Sequence, residues 1–239
     1  STLAQRSTPA GHEASLSDAS SEDYLDCPTH DTMDNPKGQS MRGLIALVVL
    51  VLAAAMAAAA DPLFDAVAAG DRTAVERALI GGADVDSRDR DQATPLVNAA
   101  LGDQLAIAEL LIGKGADVMA RNSGGFTPLH AAAYSGSLPI AKLLLDHGAV
   151  LDDAANKAGV TPMMVAGEEN HSDVVEFLIS RGADVGHAEI HGYMPITRAF
   201  WKGNKDIVRL YKRHGATCQQ PDVIKDTEEN YKRCMDIHD

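Results

Sequence analysis

Aromatic side chains are scarce in this chain, ten among 239 residues, with a single Trp. An interior built on rings is excluded, so the buried positions have to be Ala, Leu, Ile and Val, which suit closely stacked helices. Cations are also few. Against 34 Asp and Glu stand 21 Lys and Arg, a net charge of −13, and this argues against nucleic acid, whose phosphates demand Lys and Arg. The acidity reads as keeping an extended surface soluble, with a basic partner as the sharper alternative. Cys is limited to three residues, and no paired Cys or regular ligand spacing accompanies His187, His191 and His214, so no zinc site is expected. Nucleophile elbow, phosphate loop and metalloprotease motif are all missing. Glu168 and Glu169 could serve as a carboxylate pair, but adjacent residues on a helix do not face one another. Neither an enzyme nor a cofactor is expected.

What the chain has in quantity is periodicity. Gly-Ala pairs begin at Gly82, Gly115, Gly148, Gly182 and Gly215, spaced 33, 33, 34 and 33 residues. Twenty residues before each Gly stands a proline: Pro62, Pro95, Pro128, Pro162 and Pro195. Five units on one ruler are the signature of a repeat architecture, in which each unit buries its apolar face on its neighbours. Proline at the first turn of a helix costs no hydrogen bond, and the Thr before it can cap. Gly70, Gly136 and Gly203 allow a tight turn to a second helix, which shows apolar spacing such as Leu105, Ile107, Ala108, Leu110 and Leu111. The Gly of each Gly-Ala pair then fits a left-handed cap. One extra residue between Ala149 and Thr161 accounts for the single spacing of 34.

The clearest unit contains Thr127-Pro128-Leu129-His130 followed by Ala131-Ala132-Ala133. It resembles the first-helix signature of an ankyrin repeat. The resemblance covers 61–217 and implies an all-α repeat solenoid of five ankyrin repeats, each a helix-turn-helix plus hairpin finger. It also implies that His130 is a structural hydrogen-bonding residue. The first unit lacks the Thr and His of the motif, the fourth has Met163-Met164 in place of Leu-His, and the fifth diverges most. Lys205, Arg209, Lys212 and Arg213 on the fifth outer helix read as a face turned to water. In the first finger Asp86, Asp89 and Asp91 alternate with Arg88 and Arg90, as in a solvated, self-paired loop.

The flanks differ in kind. Residues 1–40 carry seven acids against two bases and few large apolar side chains, a composition that predicts disorder. Met41-Arg42, the apolar run 44–52 and the Ala-rich end to residue 60 form a secretory signal pattern. Cleavage before Asp61 is expected, with Met41 as the natural start and the protein periplasmic or secreted. A retained single-pass anchor is the alternative, since 44–60 reaches the lower limit for spanning. Cys27 lies upstream of this stretch. Cys218 and Cys234 remain for an oxidising compartment and are expected to form a disulfide, two unrelated thiols being the alternative. Residues 218–239 read as one short capping helix starting at Pro221-Asp222, with Val223, Thr227, Tyr231 and Cys234 on one face.

The resemblance further implies a binding module for a protein partner, acting as a monomer through finger tips and inner helices. Its contact positions fall on Arg121, Phe126, Tyr134 and Ser135 in the third unit. In the fourth they fall on Lys157, Glu168 and Glu169, and in the fifth on Ile190, Tyr193, Trp201 and Lys202. Four of the ten aromatics land on this surface, where rings serve as interface anchors or lean on the neighbouring unit. A membrane-tethered scaffold and an accessory or inhibitor of an exported enzyme are the other functions weighed.

Overall fold

A computed structural model describes residues 61–238. The acidic segment 1–40 and the export stretch 41–60 lie outside the described residues. Ten helices form five pairs. The inner helices are α1 (Pro62–Ala68), α3 (Pro95–Leu101), α5 (Pro128–Ser135), α7 (Pro162–Glu168) and α9 (Pro195–Lys202). Each is followed by its outer helix: α2 (Arg72–Ile80), α4 (Leu105–Gly113), α6 (Leu138–Asp146), α8 (Ser172–Ser180) and α10 (Lys205–Arg213). Every inner helix begins at its proline, and Thr94 and Thr161 accept the amides of Val97 and Met164 as caps. No strand occurs among the described residues, so the fingers are turns rather than extended ribbons.

The turns follow the glycines. Gly70, Gly136 and Gly203 have φ of +67°, +74° and +82° at the inner-to-outer turn, where a side chain would be strained. In the second and fourth units Asp103 and Asn170 take the same conformation, with φ of +51° and +66°. Each outer helix closes with one motif: the amide of the Gly-Ala alanine donates back to a buried or half-buried position of the last turn, for example Ala116 to Leu111 and Ala149 to Leu144.

Burial repeats with the same period. The residue after each proline, Leu63, Leu96, Leu129, Met163 or Ile196, has no exposed surface. On the outer helices Leu111, Leu144, Leu178 and Tyr211 do likewise. Between neighbouring inner helices stand Ala99, Ala100, Ala132, Ala133, Ala166 and Ala199, all fully buried, which is how a chain poor in rings packs its helices closely. The fifth unit puts Tyr211 where units two to four have Leu. The extra length is accommodated by Gly167 on α7: a methyl there would overlap the Tyr211 hydroxyl. That hydroxyl donates to the carbonyl of Met163 at 3.1 Å.

The C-terminal segment departs from the single helix expected. It forms two short helices, α11 (Pro221–Ile224) and α12 (Glu228–Met235), separated at Lys225, whose φ is +53°. Thr227 caps α12 by accepting the amide of Asn230. The buried residues are accordingly Cys218, Pro221, Ile224, Cys234 and Ile237, whereas Val223 and Thr227 are exposed. A disulfide joins Cys218 to Cys234. Two cations of α10 also differ from expectation, being engaged rather than turned to water. Lys212 Nζ donates to the carbonyls of Cys234, Met235 and Ile237, and Arg209 Nε to that of His238. Gln219 supplies what the first turn of α9 lacks, because Met194 has no side chain that can cap. Its Oε1 accepts from the Met194 amide and the Thr197 hydroxyl.

Candidate protein-binding face

The fingers are held by two recurring devices. At the tip, one side-chain oxygen accepts the amides two and four residues on. Asp89 does so for Asp91 and Ala93, Asn122 for Gly124 and Phe126, Asn156 for Ala158 and Val160, and Glu189 for His191 and Tyr193. Between fingers, Asp86 and Asp152 accept the amides of Asp117 and Asp184 in the next unit. Arg88 donates to the carbonyls of Gln92 and Arg121. The first finger is thus bonded largely to itself, as expected, but through backbone groups: among the described residues no ion pair joins its Asp and Arg side chains.

Arg121 stands one repeat beyond Arg88 and forms an ion pair with Asp153 at 2.5 Å, also donating to the carbonyl of Gly125. Asp153 follows Asp152 and precedes the third-finger tip at Asn156, which places the extra residue of that finger beside it. The guanidinium holds the Asp153 carboxyl below the usual carboxylate range by hydrogen bonding to its charged form. His130 fastens the inner helix to the next finger. Its Nδ1 accepts the Thr127 amide at 3.2 Å, and its Nε2 lies 3.1 Å from the Val160 carbonyl, which fits the neutral ring protonated at Nε2. Burial lowers its pKa, the Val160 bond opposing this. The role is structural.

With these groups committed to the fold, a distinct set faces outward. The sixth residue after each proline gives one row across the inner helices: Leu101, Tyr134, Glu168 and Trp201 in units two to five. Leu101 is 45% exposed, Tyr134 55% and Trp201 44%, three of the eight exposed large hydrophobic side chains among the described residues. Leu101 was not singled out from the sequence, although the same spacing that picked Tyr134 reaches it. Beside the row a groove of about 380 Å³ runs between the inner helices and the fingers, lined by Leu101, Phe126, Tyr134, Val165, Glu168 and Arg198 among others. Phe126 stands edge-on to His130, centroids 5.4 Å apart. Glu168 is ion-paired with Arg198, whose Nη1 lies 4.0 Å from the buried Glu189. Glu169, next along, is exposed.

The other residues expected at contacts are placed as follows. Ser135 donates to the carbonyl of Ala100 in the preceding unit. Lys157 and Lys202 are exposed, and Ile190 is 62% exposed at its finger tip. Tyr193 packs edge-on against Trp201 with centroids 4.6 Å apart, and Trp201 Nε1 donates to Asp226. So Tyr134, Phe126 and Glu168 share one groove, whereas Arg121 and Ser135 are used between repeats and Trp201 also secures the C-terminal segment. Among the described residues no group of His, Cys, Asp and Glu could hold a metal, and no helix is long and apolar enough to cross a membrane.

Repeated helix pairs, glycine-closed outer helices and interlocked fingers define a class, and comparison with known proteins agrees. A family model for ankyrin repeats in three copies matches residues 63–155, and one for a single ankyrin repeat matches 158–189. Together they span just over half of the chain, which belongs to the ankyrin-repeat family. Among curated proteins it is similar to an ankyrin repeat and SAM domain-containing protein 6 of Mus musculus, 34% identical over 62 residues. That match covers 26% of this chain and 7% of the relative. Ankyrin repeats generally serve as protein–protein interaction modules and are typically non-enzymatic.

Proposed function

We propose that this chain is an exported ankyrin-repeat module that binds a protein partner through the inner-helix face of units two to five and the adjoining finger tips. One observation carries the reading: Leu101, Tyr134 and Trp201 occupy a single register position and are all substantially exposed, beside a groove. Nothing in helix packing requires large apolar groups in water at the same position of three repeats, and aligned exposed apolar surface marks interaction sites. Tyr134→Ala removes a side chain whose ring packs on no other ring among the described residues and leaves its backbone carbonyl to accept from His171 as before. Capture of the partner should weaken by roughly 2 kcal/mol. Glu176→Ala, on the outer helix α8, should change little. Equal loss with both variants would remove the face assignment.

Export is supported by the signal pattern over 41–60 and by the Cys218–Cys234 disulfide, a bond that persists in oxidising compartments. Expression beginning at Met41 should give a soluble protein whose N-terminus lies near Asp61. Replacing Leu47 and Val49 by Arg should keep it inside the cell, each charge costing about 2.5–3.5 kcal/mol in an apolar helix. A protein that remains inside with Met41 at its N-terminus refutes export.

A further inference from the structure

Resting on the face assignment just made, we infer that the groove takes a linear segment of the partner in which an apolar side chain adjoins a Lys or Arg. The groove is divided by chemistry. Toward units two and three its walls are Leu101, Phe126 and Tyr134; toward units four and five they are Glu168, Glu169 and Arg198. Its volume of about 380 Å³ falls at the lower end of ligand-sized clefts, about 300–1,000 Å³. That suits a short stretch of side chains rather than a folded domain.

The charge at the second end is not balanced from within. Arg198 is the one cation in the lining, and it serves two carboxylates, pairing with Glu168 and lying 4.0 Å from Glu189. The Glu189 side chain has no exposed surface, and its Oε2 accepts no hydrogen bond. Glu169 is exposed and has no ion-pair partner among the described residues. The lining at this end holds two carboxylates, Glu168 and Glu169, against one guanidinium that the buried Glu189 also draws on, which leaves a negative field. An approaching ammonium or guanidinium would be drawn to the unpaired Glu169, whereas a carboxylate would be repelled. The apolar end offers the desolvated contact and the acidic end sets orientation and excludes acidic segments.

Short random peptides displayed on phage are selected on the immobilised full chain, and each recovered clone is re-tested on Tyr134→Ala and Glu169→Lys. We expect clones that lose binding on Tyr134→Ala, carry Leu, Met or Phe next to Lys or Arg, and weaken on the order of tenfold on Glu169→Lys. A matching synthetic peptide with its cation replaced by Glu should bind Glu169→Lys better than the parent chain. Clones lost on Tyr134→Ala but free of basic residues, or indifferent to Glu169→Lys, overturn this inference and leave the face assignment standing. Clones indifferent to Tyr134→Ala count against the face itself. If no clone is recovered, the groove does not take linear segments and the inference fails. Unchanged thermal midpoints of both variants confirm that each remains folded.

Discussion

At the scale of single residues, stability turns on pairs that are intelligible only together. Gly167 and Tyr211 are one such pair. In an ordinary helix interior Gly→Ala gains about 1 kcal/mol, but at Gly167 the new methyl overlaps the Tyr211 hydroxyl, and overpacking costs about 1–3 kcal/mol. Gly167→Ala should therefore destabilise, and Gly167→Ala with Tyr211→Leu should recover part of the loss in urea unfolding. Additive effects would refute the coupling. His130 supplies a pH test. Its folded pKa lies below its ordinary value of 6.5 because of burial, so the unfolded chain binds the proton more readily. Its contribution is present above that value and is lost as pH falls through it. The Asp153–Arg121 pair acts in more acid solution, since a depressed carboxyl pKa gives stability that is lost as pH falls from the ordinary carboxylate value through the lowered one. Between about pH 7.5 and about pH 5.5 the thermal midpoint should drop, and by less in His130→Gln. An equal drop in both would mean His130 does not carry it.

At the scale of elements, the C-terminal segment does the work of a missing sixth repeat. Gln219 caps α9, Lys212 and Arg209 hold the last carbonyls, and the disulfide ties the beginning of the segment to α12. With a sequence separation of 16 between the paired cysteines, the bond is worth on the order of 3 kcal/mol on the chain-entropy account. Reduction should raise amide hydrogen exchange in α11 and α12 before α5 and α6. Uniform loosening of all repeats would contradict this, as would two free thiols in the unreduced protein. Here the sequence was only partly legible. Proline and acids marked a helix start at Pro221-Asp222 correctly, but Lys225 breaks the helix in a conformation its residue type does not announce. The cations of α10 looked solvated because their partners are backbone carbonyls more than twenty residues away, which leave no mark in composition.

At the scale of the whole molecule, the repeat fold was legible because its punctuation is steric. Proline is tolerated at few helix positions and left-handed turns favour Gly, so the 33-residue ruler could be read directly. The candidate face was legible in part. Register picked out Tyr134, Phe126 and Glu168, which the structure gathers in one groove. It also picked out Arg121 and Ser135, whose side chains are spent on neighbouring units, since spacing locates a position without telling which neighbour uses it. The central claim is that the inner-helix row of units two to five meets the partner. A photoreactive side chain placed at Tyr134 in the full chain, with Glu176 as the matched position on the outer helix, tests it most directly. The account predicts a crosslinked partner from position 134 and none from 176; crosslinking from 176 alone, or equally from both, would contradict it.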